Sequence, residues 1–344
     1  MIIHQNFVGG NINVIKRDEN TFYIENQLRD TVGDWFYWAF CVEDAEEGEF
    51  VFKFTQENRV GYWGPAVSKD LREWKWLNEC DGESFKYTFS KGERLYFAHH
   101  MLYHPDRFLD FAKRNNIQIN ELCKSRKGRS IPCIMMGSGN TSIVFTSRHH
   151  ACESTGSYIL EGVLKELTEN LHPDLKIFCV PFVDYDGVID GDQGKSRSPH
   201  DHNRDYTDAP LYPEVSEIMK YVGKNGCDFG CDFHSPWHKS GENDCVFIVR
   251  NCVEKQEKFE AFSTILESEL TKNALLYSKN NDHHPFVTWN LPSSNFGYTM
   301  NTRDSKNLAF TFETTYFGTE NNKVSESNLI ELGRCFGRAL KKYI

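Results

Sequence analysis

What most constrains the fold is a change of texture near residue 105. Five of the seven tryptophans (Trp35, Trp38, Trp63, Trp74 and Trp76) precede residue 77, in a region of short strand-like runs with no helical stripe. The run WFYWAFCV (35–42) is apolar on both faces, as a fully buried strand is. EFVFKF (49–54) puts Phe50, Phe52 and Phe54 on one face, and the two runs in FKYTFSKGERLYFA (85–98) read as a hairpin about Lys91-Gly92. Short strands at this spacing predict an antiparallel β-sandwich. Exposed aromatics would make it a carbohydrate-binding module, but core packing is the commoner use of such residues and is expected here.

After HPDRFLDFAKRN (104–115), where Pro105 suits the first turn of a helix, strands alternate with helices. Residues 142–147, 175–183, 227–235 and 307–315 read as strands. Ile159, Leu160, Val163, Leu164 and Leu167 form one helical stripe, and Val215, Ile218, Met219 and Val222 a second. Residues 327–343 read as a closing helix with its basic residues at the C-terminal end, where the helix dipole favours them. The alternation predicts an α/β domain with a mixed central sheet and a site at the strands' C-terminal ends. The expected division is a sandwich domain over 1–104 and a catalytic domain over 105–344.

A net charge of −10 argues against nucleic acid as a partner. No run approaches the ~20 apolar residues that span a bilayer. The start, MIIHQNFVGGNINV, lacks a basic segment leading into an apolar one, so no signal peptide is expected. The 11 cysteines, an odd number scattered from Cys41 to Cys335, read as reduced, mostly buried thiols of a cytoplasmic protein.

Four segments carry chemistry. SRHHACE (147–153) sets His150 and Glu153 three residues apart, directly after a strand. In CDFGCDFHS (227–235), alternation puts Asp228, Gly230, Asp232 and His234 on the face opposite the cysteines. Two histidines and a carboxylate suit a catalytic zinc site with one position open. PHDHNRDY (199–206) offers Asn203 and Arg204, an amide beside a guanidinium, which suits a carboxylate ligand. In FTFETT (310–315), Glu313 interrupts an apolar strand, a placement that is unfavourable unless the carboxylate faces a cleft.

Taken in order, these segments resemble the zinc carboxypeptidase family, and most closely its cytosolic carboxypeptidase subfamily, whose members carry a β-sandwich before the catalytic domain. RLYFAHHMLYHPDRFLDF (94–111) is similar to the segment joining those domains, and CKSRKGRSIPCIMMG (123–137) to the family's Ser-x-x-Gly-Arg strand. The resemblance implies one Zn2+ per chain, held by His150, Glu153 and His234, with Glu313 as general base and acid. It implies that Asn203 and Arg204 hold the substrate's terminal carboxylate and that Asp201 orients a ligand histidine.

The implied activity is hydrolysis of the C-terminal peptide bond of peptides or protein tails by a zinc-activated water. The alternatives are a zinc-dependent amidase or deacylase, or a protein that binds chain termini without cleaving them. The chain departs from the family at His202, where Leu or Ala is usual, and at Gly194, where the subfamily has an oxyanion-stabilising arginine. Lys195 and Arg197 are the substitutes, with Arg197 favoured, and Tyr298 is the candidate for the family's catalytic tyrosine. His149, His202 and His238 are expected to be hydrogen-bonding or rim residues. The pairs His99-His100 and His283-His284 are expected to be ordinary.

Overall fold

The computed structural model describes residues 1–169, 171–285, 290–304 and 306–344. The first nine strands are β1 (Ile2–His4), β2 (Asn13–Asp18), β3 (Thr21–Glu25), β4 (Ala39–Glu43), β5 (Gly48–Phe54), β6 (Ala66–Ser68), β7 (Lys75–Trp76), β8 (Ser84–Phe89) and β9 (Leu95–Ala98). They form two facing sheets, in the orders β1-β4-β9-β6-β7 and β2-β3-β5-β8. All pairings are antiparallel except β3 with β5. Alternation works as the sequence implies: Phe50, Phe52 and Phe54 turn inward to meet Trp38, Phe40, Phe85, Phe89 and Phe97. Trp38 stacks on Phe85 with ring centroids 6.0 Å apart, and Phe52 on Phe85 at 5.1 Å. The aromatics are therefore core. Burying each such ring stabilises by about 1.5–3 kcal/mol.

The runs on either side of Lys91-Gly92 do not form a hairpin. β8 pairs with β5 in one sheet, whereas β9 pairs with β4 and β6 in the other. The reason lies in β9 itself, all four residues of which are buried. Leu95 and Phe97 pack into the sandwich core, while Tyr96 and Ala98 pack into a second apolar cluster that continues toward the central sheet. A strand apolar on both faces must be central, and the turn at residues 90–93 carries the chain from one sheet to the other.

The rest of the chain comprises α1 (Pro105–Arg114), β10 (Ile119–Lys124), β11 (Ser130–Met136), β12 (Thr141–Ser147), α2 (Ser154–Glu169), β13 (Leu175–Val180), α3 (Tyr185–Asp190), α4 (Pro213–Asn225), β14 (Phe229–His234), β15 (Val246–Val249), α5 (Gln256–Glu269), α6 (Phe296–Arg303), β16 (Leu308–Thr314) and α7 (Glu326–Tyr343), with a small β17–β18 ribbon at residues 318–323. Seven strands form a mixed sheet ordered β10-β11-β13-β12-β14-β16-β15. β13, β12, β14 and β16 are parallel, flanked by antiparallel strands. Pro105 opens α1 behind a His104 cap that accepts a hydrogen bond from Asp106 N. Helices α2 and α7 meet at their backbones: a Cβ on Gly162 would lie 2.1 Å from Ile330 O, and one on Gly333 2.1 Å from Ile159 O. Among the described residues, no helix is long and apolar enough to cross a membrane.

His99 and His100, expected to be ordinary, lie in a buried seam between the sandwich and the central sheet. His99 stacks near His238 with centroids 4.8 Å apart, and His238 against Phe36 at 4.8 Å. His99 Nε2 and both nitrogens of His238 are buried without a hydrogen-bond partner. Burial holds all three imidazoles neutral. The nearby Lys239 and Arg59 add to this at His99 and His238, and Arg148 adds at His100. His100 falls to about 3 and His238 to about 2.

Folded-state values below the unfolded ~6.5 mean that the unfolded chain binds more protons, so stability is lost as pH falls below about 6.5. Each such histidine contributes up to about 1.4 kcal/mol per pH unit. Replacing His238 with Phe, which suits its aromatic neighbours, should flatten the fall in denaturant-measured stability between pH 6 and 5. An unchanged slope would show that His238 is not held neutral.

Candidate metal centre and active site

The site gathers at the C-terminal ends of β12, β14 and β16. After β12 the chain turns sharply at Arg148, whose φ of 61° is left-handed. Its guanidinium Nε donates to Ala151 O at 2.8 Å and holds the turn closed. This turn presents His150 and sets Glu153 immediately before α2, where the helix dipole favours a carboxylate. On the adjacent strand, His234 ends β14 and lies level with Glu313 of β16.

Glu153 is the hub. His150 Nδ1 lies 2.8 Å from its Oε1 and His234 Nδ1 2.6 Å from its Oε2, and ligand atoms of the three residues lie within 4.8 Å of one another. The His234–Glu153 contact is short yet misaligned for hydrogen bonding, and buried Glu153 Oε2 has no hydrogen-bond partner. Two imidazole nitrogens and a carboxylate facing one point, with an oxygen left over, fit a metal ion. The remaining imidazole nitrogens are held by carboxylates. His150 Nε2 lies 3.2 Å from both oxygens of Asp201, and His234 Nε2 2.5 Å from Asp232 Oδ2. This is the carboxylate–histidine arrangement that orients metal ligands.

His149, expected to be a hydrogen-bonding or rim residue, is buried in a hydrogen-bonded relay. Its Nδ1 lies 2.8 Å from Asp232 Oδ1 and its Nε2 2.8 Å from Tyr206 OH, while Thr146 Oγ1 donates to the same Asp232 oxygen at 2.9 Å. His149, Asp232 and His234 also lie close enough together to hold a metal, but these atoms are already paired with one another and their neighbours. Burial alone would raise Asp201 and Asp232, yet the adjoining imidazoles outweigh it and hold both carboxyls well below their usual range. Burial would likewise lower His234, but Asp232 and Glu153 outweigh it and raise it. The sequence pattern already placed Asp232 on one face with His234; only the fold brings His149 and Tyr206 to them.

Glu313 is 7 % exposed, and its Oε2 has no partner. Burial pushes its carboxyl up to about 7, with His234 opposing and Glu153 reinforcing the shift. The two substitute cations separate cleanly. Arg197 donates to Asp192 at 3.0 Å and Asp184 at 2.5 Å, with Asp30 at 3.7 Å, so its charge is consumed by three carboxylates. Lys195 instead lies against the hub, its Nζ 2.5 Å from Glu153 Oε1 and donating to Ser235 O at 3.0 Å.

Gly194 explains the displacement of the cation. Its φ is +79°, and a Cβ there would lie 2.1 Å from Ala151 N. No arginine fits. The sandwich secures this segment, because Asp30 accepts hydrogen bonds from Gln193 N at 3.0 Å and Gly194 N at 2.8 Å.

Asn203 Nδ2 lies 3.2 Å from His234 Nε2, and Asn203 Oδ1 accepts from Phe296 N at 3.1 Å. Arg204 is exposed and donates to Asn203 O at 2.8 Å; it has no carboxylate within ion-pair distance among the described residues. His202 stacks on Tyr212 with centroids 3.6 Å apart and contacts Glu214 at 2.9 Å, which accounts for a histidine where a small apolar residue was expected. Tyr298 lines a cleft with Cys252, Lys255 and Asn301.

No family model matches the chain. An uncharacterized protein of Zymomonas mobilis is 28% identical over 256 residues, covering 67% of each chain. Cytosolic carboxypeptidase 2 of Xenopus tropicalis is 26% identical over 208 residues, half of this chain but only 21% of that protein. Among solved structures, a metallo-carboxypeptidase from Burkholderia cenocepacia superposes with a TM-score of 0.82 at 17% identity, covering 99% of this chain and 98% of that one. A metallo-carboxypeptidase from Pseudomonas aeruginosa, in complex with (2-guanidinoethylmercapto)succinic acid, gives 0.80 at 18% with the same coverage. The chain has the metallo-carboxypeptidase fold over essentially its whole length, sandwich included.

Purified protein should bind about one divalent metal per chain, lost in His150→Ala and in His234→Ala. Asp232→Asn should weaken metal affinity by about 10- to 100-fold. Elemental analysis and competition with a chelating dye would measure both, and full metal retention in both histidine variants would contradict the assignment.

Proposed function

We propose that the chain is a zinc-dependent metallocarboxypeptidase that hydrolyses the C-terminal peptide bond of peptides or protein tails. The observation that carries this reading is the Glu153 hub, which joins two imidazole nitrogens and a spare buried oxygen beside an unpartnered Glu313. Zinc held by His150, Glu153 and His234 would supply a Lewis acid that polarises a carbonyl and makes water a nucleophile near neutral pH. Glu313 accepts the proton of the attacking water and returns it to the leaving amine, a role suited to a carboxyl raised to about 7. Lys195 offsets negative charge developing on the carbonyl oxygen, the part for which Arg197 was the sequence-based choice. Asn203 and Arg204 fix the terminal carboxylate, so that only the last residue is released.

Residues 1–104 are taken as the sandwich domain and 105–344 as the catalytic domain. The 11 free cysteines support a reducing, cytoplasmic setting.

Glu313→Gln should fold and retain zinc, yet lose on the order of 10²–10⁴ in turnover. Near-native turnover would move the base elsewhere. Recognition of the chain end is tested with one peptide as free acid and as C-terminal amide. Losing a charge-assisted partner costs roughly 1.5–3 kcal/mol, so the amide should be cut at least ~10-fold more slowly in kcat/KM. Arg204→Ala should narrow that gap. Equal rates on acid and amide would favour an amidase.

A further inference from the structure

Lys195 has surroundings that the proposed reaction does not use. Its ammonium is held on one side by the carbonyls of Ser235 at 3.0 Å and Pro236 at 3.4 Å. On another side it lies 5.7 Å from the centroid of the Trp35 ring, which the sandwich contributes from the segment before β4. Trp237 follows Pro236 directly and is 42% exposed. Both tryptophans meet the Phe36 ring edge-on, each at 6.4 Å. Val32, 83% exposed, lies just ahead on the same sandwich segment. Thus a half-buried tryptophan of the sandwich lies over Lys195, and an exposed one follows the Ser235-Pro236 pair whose carbonyls hold the same ammonium. Trp237 covers Phe36 and His238 with one edge and leaves the rest of its ring to solvent, and exposed apolar surface of this kind marks binding surfaces.

The direction in which these rings lie from the hub identifies the occupant. Asn203 touches the Nε2 edge of His234, whereas Glu153 meets its Nδ1 edge and carries Lys195 on its other oxygen. A chain whose terminal carboxylate is held by Asn203 and Arg204 therefore runs past His234 toward Lys195 and the tryptophans. Extended chain advances about 3.5 Å per residue, so a ring 5.7 Å from Lys195 Nζ is reached by about the second residue upstream of the cut.

We infer that Trp35 and Trp237 form the walls of a subsite for substrate residues on the amino-terminal side of the scissile bond, so that the sandwich takes part in choosing the substrate. The occupant is an extended peptide with apolar or aromatic side chains at those positions. This rests on the carboxypeptidase reading for the direction of the chain, and its test is chosen so that the two can fail separately.

Two blocked peptides share the C-terminal residue best released by the enzyme: acetyl-Gly-Xaa, which barely enters the subsite, and acetyl-Phe-Phe-Phe-Xaa, which fills it. The zinc-loaded full chain should cleave the longer peptide with kcat/KM at least about tenfold higher, the size of one buried aromatic contact or more. Trp237→Ala and Trp35→Ala should each reduce that ratio several-fold, and Trp237→Phe should restore most of it. Trp237→Phe keeps a ring over Phe36 and His238, so it separates loss of the subsite from loss of packing.

A ratio near one in the native enzyme, or one unchanged in both alanine variants, would overturn the inference while leaving the carboxypeptidase reading intact. In parallel, calorimetry measures binding of the longer peptide to Glu313→Gln protein with and without the tryptophan substitutions. If the native chain cleaves neither peptide, the reaction is misassigned; weaker binding in the tryptophan variants would still support the subsite, and unchanged binding would overturn it as well.

Discussion

The carboxylate of Glu153 is the constraint around which the molecule is arranged. A buried carboxylate is several kcal/mol unfavourable unless its charge is met. Here it is met by His150, His234 and Lys195 together. Burial would raise this carboxyl, but those three cations and donors outweigh it and hold it well below the usual range. Each partner arrives from a different element: the turn after β12, the end of β14, and the segment pinned by Asp30 of the sandwich.

The same logic runs outward. Asp201 and Asp232 fix the far nitrogens of the two histidines; His149 and Thr146 fix Asp232 in turn, and Tyr206 holds His149. Polar groups sealed from water are thereby paired in layers, and a fully satisfied network of this kind rigidifies a site. Among the exceptions are Glu313 Oε2 and Glu153 Oε2, the two oxygens on which the proposed chemistry depends. Packing contributes as well. The backbone contact at Gly162 and Gly333 seats α7 on α2, and α2 begins at the residue after Glu153.

Much of this was legible in the sequence, because period-2 and period-3.6 patterns report directly on burial. The strands ending in His234 and containing Glu313, the helix after Glu153 and the aromatic sandwich all follow from them. What escaped was whatever depended on pairing across the chain. The runs at 85–89 and 95–98 look like a hairpin locally, but β9 is apolar on both faces and is drawn into the other sheet. Arg197 looks like the available cation by its chemistry, yet Asp184 and Asp192 just before it and Asp30 of the sandwich consume it. His99 and His100 carry no local motif, and their burial comes from Phe36, His238 and Tyr316 closing over them.

The central claim is that the Glu153 hub, loaded with zinc, removes residues one at a time from a free chain end. Mass spectrometry of a C-terminally varied peptide library, incubated with metal-stripped protein and with the same protein after adding back one equivalent of zinc, tests it most directly. The account predicts products shortened by single residues from the carboxyl end, formed only in the zinc-restored sample. Internal cleavage, loss of an acyl group from an intact chain, or equal products with and without zinc would contradict it.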